Sequence, residues 1–241
     1  MIYMLKLAID QGNSAIKFGI FDQQTLIHFD SIPNNDQGKL KSIIGAYKPQ
    51  SAIICSVTDK LNMSVFDKIG GKVVILNHQT PLPFFNHYKT PETLGRDRIA
   101  AVAGAQSLFP ATNILVIDAG TAITYDILLN DKYIGGSISP GMETRFKALN
   151  QFTGKLPLIS RNEDSNIPGE TTNQAIASGV INGMIFEIEG YRDFCMKNWG
   201  SLHTIITGGD SDFFVRKLKK PIFVNQNLVL LGLNRILENN A

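Results

Sequence analysis

One pattern occurs twice in this chain, first as Leu7-Ala-Ile-Asp10-Gln-Gly12-Asn13-Ser14 and again as Val116-Ile-Asp118-Ala-Gly120-Thr121-Ala122. In each copy an apolar run ends in Asp-x-Gly, and a second β-prone run follows, over 16–21 and 123–129. This order predicts a strand, a tight glycine turn and a returning strand, formed twice. Glycine lets an anion approach backbone N–H groups, and an aspartate beside them can hold a metal-bound phosphate. Two such loops facing each other would hold a nucleoside triphosphate, so the pattern indicates phosphoryl transfer.

A plain hairpin turn is the simpler interpretation of each copy alone, because Asp, Gly and Asn are the usual residues of such turns. The second copy is what favours the phosphate site. Lys17, which follows the first copy, would add the cation that a phosphate needs.

The pattern of the remaining chain predicts two α/β halves. In the first half we expect strands over 5–10, 15–21, 25–29, 51–57 and 73–76, helices over 37–47, 58–70 (with Thr58 as N-cap) and 96–108, and a proline-containing loop over 80–93. In the second half we expect strands over 114–118, 122–129, 132–139, 204–207 and 222–224, and helices over 141–154, 173–198 and 228–238, with a short helix after residue 210.

Each half is therefore close to βββαβαβα, with later strands that pair in parallel because helices separate them. The predicted domains are residues 1–111 and 112–241, with a ligand cleft between them. The pattern does not decide on which half the last helix packs. In the long helix over 173–198, apolar residues step by three or four, so one face is buried. Gly179 and Gly183 are expected on roughly that face, where they allow close approach of another backbone.

Composition excludes several classes of function. The chain has 241 residues, 44% hydrophobic and 18% charged, and its net charge of +2 argues against a dominant nucleic-acid surface. The basic cluster 216–220 is interpreted as a solvated face. Cys55 and Cys195 lie in apolar runs, which indicates buried, reduced thiols and a cytoplasmic protein. No stretch is long and apolar enough for a membrane span, and the four histidines show no ligand spacing for zinc.

The segment Gly95-Arg-Asp-Arg98 places two arginines around one carboxylate at a loop-to-helix junction. A kinase that acts on an alcohol needs a base to orient the hydroxyl and accept its proton, and an aspartate performs this role in other kinases. A helix N-terminus with Asp97 favoured by the dipole is the alternative when the segment is taken alone.

The duplicated unit with paired Asp-Gly loops resembles the superfamily of acetate and sugar kinases, actin and the heat-shock ATPases, which implies duplicated actin-like, ribonuclease H-like domains with an ATP cleft. Within it the chain resembles the type III pantothenate kinases nearly end to end. The resemblance rests on five motifs, in this order and spacing: Asp10-Gln-Gly-Asn-Ser-Ala-Ile-Lys17, Gly95-Arg-Asp-Arg98, Asp118-Ala-Gly-Thr-Ala-Ile-Thr124, Gly135-Gly-Ser-Ile-Ser-Pro-Gly141 and Thr172-Asn-Gln-Ala-Ile-Ala-Ser-Gly179.

The resemblance implies ATP-dependent phosphorylation of pantothenate to 4′-phosphopantothenate, the first step of coenzyme A biosynthesis, by a homodimer with its active site near the interface. Asp97 is then the catalytic base. The implied ATP-binding residues are Asp10 (which also holds Mg²⁺ through the phosphates), Gly12, Asn13, Ser14, Lys17, Gly120 and Thr121. The implied pantothenate-binding residues are Tyr88, Gly95, Arg96, Arg98 and Thr172, and Asp118 helps hold a monovalent cation, K⁺ or NH₄⁺.

Several alternatives stay open at this point. Thr171 competes with Thr172 for contact with substrate, Arg98 is able to pair with a carboxylate elsewhere in the fold, and the glycine-bearing helix suits either a dimer surface or the core. The rival functions are a polyphosphate or nucleotide phosphohydrolase, an ATP-binding regulator without activity, and a kinase for another small alcohol.

Overall fold

A computed structural model describes residues 4–12, 15–56, 61–161 and 164–240. By their contacts these residues form two compact units, the first comprising Met1–Ala111, Asp131–Ile134 and Asn227–Ala241 and the second Thr112–Asn130 and Gly135–Gln226. The domain bounds 1–111 and 112–241 stay a prediction.

The first unit is built on a five-stranded sheet of order β3-β2-β1-β4-β5, with β1 antiparallel to β2 and parallel to β4. Its elements up to residue 111 are β1 (Leu5–Gln11), β2 (Ala15–Asp22), β3 (Thr25–Pro33), α1 (Gln37–Tyr47), β4 (Ser51–Ser56), β5 (Val73–Ile75), β6 (Phe85–Asn86) and α2 (Arg96–Leu108). Alternate residues of β1 and β2 bury their side chains in one apolar cluster with α1. This burial fixes the register that brings Asp10 and Lys17 opposite each other.

The second unit repeats the arrangement of antiparallel and parallel strands. Its elements are β7 (Ile114–Ala119), β8 (Ala122–Leu129), β9 (Lys132–Pro140), α3 (Met142–Phe152), α4 (Thr172–Trp199), β10 (His203–Thr207), α5 (Ser211–Val215) and β11 (Phe223–Val224), followed by α6 (Leu228–Asn239). The sheet order is β11-β10-β7-β8-β9, and β6 pairs in parallel with the first residues of β9, which belong to the first unit. The predicted α/β class and the duplicated order of strands and helices are confirmed.

The last helix, α6, packs on α2 in the first unit, which decides a question that the sequence left open. Two glycines permit the contact. A Cβ at Gly104 would lie 2.3 Å from the carbonyl oxygen of Leu228, and a Cβ at Gly232 would lie 1.7 Å from that of Ala100. The two helix backbones therefore touch at positions where no side chain fits.

The helix predicted over 58–70 is wrong for the described residues, which contain only a 3₁₀ turn over Met63–Phe66. The side chain of Asn62 accepts a hydrogen bond from the N–H of Ser64 at 3.0 Å, a local bond that competes with helix formation. The predicted N-cap Thr58 lies outside the described residues. The loop expected over 80–93 contains β6, which forms because Phe85 N–H donates to the carbonyl of Asp131 at 2.9 Å.

The predicted placement of Gly179 and Gly183 on the buried face of the long helix is also wrong. The buried face of α4 carries Ile176, Val180, Met184 and Ile188, whereas a Cβ at either glycine would meet no atom within 4 Å. At about 100° per residue the glycines lie roughly a quarter to a third of a turn from that stripe. They therefore face outward from this chain.

The basic segment 216–220 is held against α4 by a shielded ion pair. Arg192, which is 6% exposed, donates through Nη1 to Glu189 at 2.9 Å and to the carbonyl of Lys219 at 2.7 Å, and through Nη2 to the carbonyl of Pro221 at 3.0 Å. Glu189 in turn accepts the N–H of Lys219 at 2.6 Å. The segment is thus fixed by its backbone.

Elsewhere in the described ranges, Cys55 and Cys195 are buried free thiols, as predicted. No helix in these ranges is long and apolar enough to cross a bilayer.

Candidate active site

The first Asp-Gly loop begins where β1 ends. Asp10 lies opposite Lys17 on β2 and beside Cys55 on β4. The N–H of Gly12 donates to the carbonyl of Ala15 at 3.0 Å, which joins the end of β1 to the start of β2. Asn13 and Ser14, two predicted ATP ligands, lie outside the described residues. Lys17 is exposed on the same sheet face as Asp10.

The pKa of Asp10 is raised from 3.8 to about 6. Burial is the largest cause because it disfavours the charged carboxylate, the positive charge of Lys17 opposes the shift, and the negative charge of Asp97 adds to it. A half-buried carboxylate with a raised pKa favours a neighbouring cation, which would restore its ordinary acidity. Asp97 thus contributes to the raised pKa of Asp10, so the two predicted site carboxylates interact electrostatically.

Asp97 lies in the first turn of α2, whose N-cap is Gly95. Its Oδ1 accepts the N–H of Arg98 at 2.9 Å. A Cβ at residue 95 would lie 2.7 Å from this same oxygen, so glycine leaves the space that the carboxylate occupies. The helix N-terminus also favours a negative charge at this position. The hydrogen bond from the backbone N–H of Arg98 thus orients the half-buried carboxyl group of Asp97.

The thiol of Cys55 on β4 is affected by the charges of Asp10, Asp97 and Arg96. Burial raises the pKa of its thiol, and the charges of Asp10 and Asp97 add to the shift while that of Arg96 opposes it. Arg96 donates through Nη1 to the carbonyl of Ser56 at 3.2 Å, which ties the start of α2 to the end of β4. Asp10, Asp97 and Arg96 therefore act electrostatically on a thiol of β4, the strand beside β1.

Tyr88 and Arg98 belong to a cluster with Tyr133. Arg98 is 6% exposed, donates through Nη2 to the hydroxyl of Tyr133 at 3.0 Å, and places Cζ 5.8 Å from the centre of the Tyr88 ring. The rings of Tyr88 and Tyr133 lie 6.1 Å apart. The guanidinium group of Arg98 thus packs over the ring of the half-buried Tyr88, a contact that the sequence did not reveal.

The second Asp-Gly loop in the other unit follows β7. Its Gly120 N–H donates to the carbonyl of Ala122 at 3.0 Å, so it is a tight turn. Asp118 is half-buried at the strand end, and Gly208, with φ +91°, passes so close that a Cβ there would lie 2.4 Å from its Oδ1. The side chain of Thr121 is exposed, whereas its carbonyl accepts the N–H of Gly141 at 3.0 Å. The side chain of Thr121 is therefore accessible, while a hydrogen bond fixes the backbone of the loop.

A surface cavity of ≈ 400 Å³ lies next to α3 in the second unit, lined in part by Phe146, Leu158 and Arg161. Arg161 forms an ion pair with Asp210 at 3.1 Å, and Asp210 N–H donates to the carbonyl of Ala119 at 3.0 Å. Burial raises the pKa of Asp210, with Arg161 opposing the shift. These contacts connect the rim of the cavity to the second loop.

At the start of α4 the two candidate threonines have different surroundings. Thr171 is the N-cap, and its hydroxyl accepts the N–H of Gln174 at 3.2 Å. Thr172 is the first helical residue and is exposed. The hydroxyl of Thr171 is thus engaged in the helix cap, whereas Thr172 is exposed.

The donors present fit cations that keep much of their water. Within the described residues no group of three or more His, Cys, Asp or Glu side chains is arranged to hold a metal. Mg²⁺ in phosphate sites is bound through one or two carboxylates, substrate phosphates and water, so a single carboxylate such as Asp10 suffices. At the second loop, Oδ1 of Asp118 and the carbonyl oxygen of Ala119 both lie next to Gly208, so two oxygen atoms are close together there.

Two partly buried polar contacts at the first loop were not expected from the sequence. Asn34 donates through Nδ2 to the carbonyl of Gly12 at 3.1 Å, and Ser56 donates to Oε1 of Gln11 at 2.7 Å. Asn34 lies far along the chain from the loop, and only the pairing of β2 with β3 brings it near. A polar residue at position 11, on the otherwise apolar inward face of β1, was the available signal.

Solved structures share this architecture. A conserved Campylobacter jejuni protein, named as a candidate Baf family transcriptional activator, superposes with a TM-score of 0.66 at 23% identity and covers 97% of this chain and 98% of its own. A glucokinase from an Antarctic psychrotroph gives 0.60 at 13% identity, with 99% and 100% covered. At these identities the likeness establishes the fold alone, which is that of the actin-like sugar kinases, with two actin-like domains.

Sequence comparison narrows the class to one family. A type III pantothenate kinase from Phocaeicola vulgatus is 45% identical over 239 residues, which cover 98% of this chain and 99% of that protein. The model of the type III pantothenate kinase family matches residues 6–193. The chain belongs to the type III pantothenate kinase family.

Proposed function

We propose that this chain transfers the γ-phosphoryl group of ATP to the primary hydroxyl of pantothenate, giving 4′-phosphopantothenate, the first step of coenzyme A biosynthesis. The observation that supports this most is the carboxylate of Asp97, oriented by backbone at the start of α2 and electrostatically coupled to Asp10. Family membership supports ATP and pantothenate as the substrates.

Asp97 acts as the base in this proposal. Its carboxylate orients the pantothenate hydroxyl and accepts the proton as the hydroxyl oxygen bonds to the γ-phosphorus. The bond from the γ-phosphorus to the bridging oxygen breaks, and ADP leaves. Oδ2 of the carboxylate is the atom assigned to substrate, since Oδ1 accepts the N–H of Arg98.

The two Asp-Gly loops bind the nucleotide. The phosphates are assigned to Gly12, Asn13, Ser14 and Lys17 in the first loop and to Gly120 and Thr121 in the second. Mg²⁺ would neutralise the phosphate charge, and Asp10 would hold it directly or through water. The cavity beside Arg161, connected to the second loop through Asp210, is assigned to the adenosine side of ATP. Asp118 is assigned a monovalent cation, K⁺ or NH₄⁺.

Pantothenate is assigned to the opposite side of Asp97. Tyr88, Gly95 and Arg96 provide an aromatic face, a close backbone approach and a positive charge for its carboxylate. Arg98 contributes to this site by supporting Tyr88 from its buried position. Thr172 is assigned to substrate at the start of α4, where the hydroxyl is exposed and Thr171 is engaged in the cap.

A homodimer is part of the proposal. The outward face of α4 carries three glycines, at 179, 183 and 190, where a Cβ meets nothing within 4 Å. Phe186 and Phe194 on the same side are 63% and 57% exposed. A face of small residues and exposed phenylalanines suits close packing against a second copy of the chain.

The proposal is tested by ADP release from ATP and Mg²⁺, with and without pantothenate, in K⁺ and again in Na⁺. We expect turnover only with pantothenate and K⁺, and a loss of about 10²- to 10⁴-fold in kcat for Asp97→Asn, the range typical of a lost general base. Asp131→Asn, on a turn of the same unit, is the matched carboxylate control and should retain turnover.

Each rival predicts a different outcome. ADP release without pantothenate would support a phosphohydrolase, and ATP binding without turnover would support a regulator. Turnover with another small alcohol but not with pantothenate would support a different kinase. Full activity in Asp97→Asn would exclude Asp97 as the base whichever substrate is used.

A further inference from the structure

The first turn of α3 holds the backbone of the second Asp-Gly loop. The carbonyl of Thr121 accepts two hydrogen bonds from it, from the N–H of Gly141 at 3.0 Å and from Oγ1 of Thr144 at 2.8 Å. A Cβ at residue 141 would lie 1.9 Å from the carbonyl oxygen of Gly120, so the two backbones are in direct contact. Any displacement of this turn must therefore displace the loop.

Arg145 fixes the turn from the other side. Its Nε donates to the carbonyl of Pro140 at 2.7 Å, and its Nη2 donates to the hydroxyl of Ser139 at 2.9 Å. The same Nη2 forms an ion pair with Glu187 on α4 at 2.6 Å. The two side chains are 20% and 23% exposed, so solvent screens the pair less than a surface pair.

Glu187 is itself held by a buried tyrosine. The hydroxyl of Tyr125 on β8 donates to Oε1 of Glu187 at 2.9 Å, and its ring stacks on Tyr191 with centres 4.0 Å apart. Burial and the charge of Glu187 raise the pKa of Tyr125, so the phenol remains a donor at all ordinary pH values. A continuous set of polar contacts thus runs from α4 through Arg145 to Thr121.

We propose that Arg145, anchored by Glu187, is a positioning residue that sets the second nucleotide loop for ATP. The inference rests on the nucleotide role proposed for that loop. Arginine is required because its planar fork reaches the carbonyl of Pro140 and the carboxylate of Glu187 at once, whereas lysine offers a single point of charge. Loss of the Pro140 contact frees the turn that carries Gly141 and Thr144, although the ion pair to α4 remains.

The test compares Arg145→Lys with the wild type in three readouts: the KM for ATP, the Kd for Mg²⁺-ATP by calorimetry without pantothenate, and the thermal unfolding midpoint. We expect both nucleotide constants to rise about tenfold, a change of about 1.4 kcal/mol in binding. The KM for pantothenate should stay within about twofold, because the pantothenate residues lie mainly in the other unit.

Arg192→Lys is the matched control. Arg192 on α4 also forms an ion pair and donates hydrogen bonds to two backbone carbonyls. These carbonyls belong to the segment 219–221 and not to the nucleotide loop. The unfolding midpoint should fall in both variants, whereas the nucleotide constants should rise only in Arg145→Lys. Glu187→Gln, which preserves the shape of the contact without its charge, is a milder second variant in case Arg145→Lys does not fold, with an expected rise of about threefold.

The outcomes separate this inference from the proposed function. A wild-type chain that binds ATP but does not phosphorylate pantothenate would contradict the proposed reaction. The role of Arg145 would still be tested in that case, by comparing the Kd for ATP of Arg145→Lys with that of the wild type. Unchanged ATP constants in Arg145→Lys and Glu187→Gln, or an equal rise in Arg192→Lys, would overturn the positioning role. A wild-type chain that binds no ATP would overturn both.

Discussion

At the scale of single residues, Asp10 carries an electrostatic cost in the proposed site. A pKa raised from 3.8 to about 6 means that the folded chain binds the Asp10 proton more tightly than the unfolded chain. Between these two values the folded state holds a proton that the unfolded state has released, so the free energy of unfolding falls as the pH rises from about 4 to about 6. Above pH 6 the folded chain carries the full cost of a poorly solvated carboxylate, which a bound cation would relieve.

We therefore expect Asp10→Asn to stabilise the ligand-free chain at pH 7.5 by roughly 1–3 kcal/mol, because it removes this cost. The gain should shrink as the pH is lowered and vanish near pH 4. Unfolding by denaturant at both pH values measures it, with Asp67→Asn, at an exposed position, as the control expected to stay within about 0.5 kcal/mol of the wild type. A gain of equal size at both pH values would show that the carboxylate charge is not its origin.

The same residue predicts a pH dependence of catalysis. Protonated Asp10 is a poor ligand for a cation, so kcat/KM for ATP should fall as the pH drops through about 6. Lys17→Gln removes a charge that lowers the pKa of Asp10, and the fall should then begin at a higher pH. The ionisation of ATP itself is common to both proteins, so the shift between the two profiles is the diagnostic quantity. Profiles that superimpose would contradict the coupling.

The sequence identified the residues with local signatures and missed the roles that depend on distant partners. Asp10, Asp97 and Asp118 were predicted as site residues because each lies in a short motif beside glycine or arginine, and their roles stay predictions. The burial of Arg98 against Tyr133 was not predictable, because only the pairing of β6 with β9 brings these residues together. Arg98 was therefore expected as a direct substrate ligand, and the structure adds its contact with Tyr88.

At the scale of elements, the start of α3 is the least tolerant part of the proposed site. We expect Gly141→Ala to destabilise the chain by about 1–3 kcal/mol through overpacking against Gly120. Because the second loop must move, kcat should also fall, by up to about 100-fold. Gly154→Ala, just beyond the same helix and with nothing within 4 Å of the added Cβ, is the control. Steady-state kinetics and thermal unfolding of both variants provide the measurement, and normal kinetics in Gly141→Ala would contradict the contact.

Element prediction succeeded for the long helices and failed where a local side-chain bond intervened. The helices α2 and α4 were predicted to within a residue of their observed ends. In α4 the apolar residues step by three or four, whereas in α2 the buried residues run without a break from Arg98 to Ala105, and the predicted end of α2 rested on Pro110. The helix over 58–70 was not found in the described residues, because Asn62 supports a short turn. The two-residue strand β6 has no sequence pattern of its own and exists through its partner.

At the scale of the whole molecule, the duplicated order of elements followed from the sequence, but the grouping of α6 did not. Helix α6 follows the second half along the chain and packs on α2 of the first unit through Gly104 and Gly232. Such a return of the chain depends on contacts between positions far apart, which a pattern along one segment does not encode. Gly104 and Gly232 indicate this helix contact only when they are considered together, because neither glycine alone identifies its partner helix.

The proposed dimer gives a prediction at this scale. Phe186→Asp places a charge on the exposed face of α4 and should convert a homodimer to a monomer in sedimentation velocity, because a desolvated charge opposes association. Phe152→Asp, at a residue that is 84% exposed on α3, should leave the oligomeric state unchanged. A wild-type monomer, or a Phe186→Asp dimer, would contradict this use of α4.

The most direct test of the central claim is to identify the phosphorylated product by ³¹P NMR after incubation of the chain with ATP, Mg²⁺, K⁺ and pantothenate. The proposed reaction predicts one phosphomonoester on the primary hydroxyl of pantothenate for each ADP formed, and almost none with Asp97→Asn. Inorganic phosphate in place of that ester, or an equal yield from Asp97→Asn, would contradict the assignment of this site.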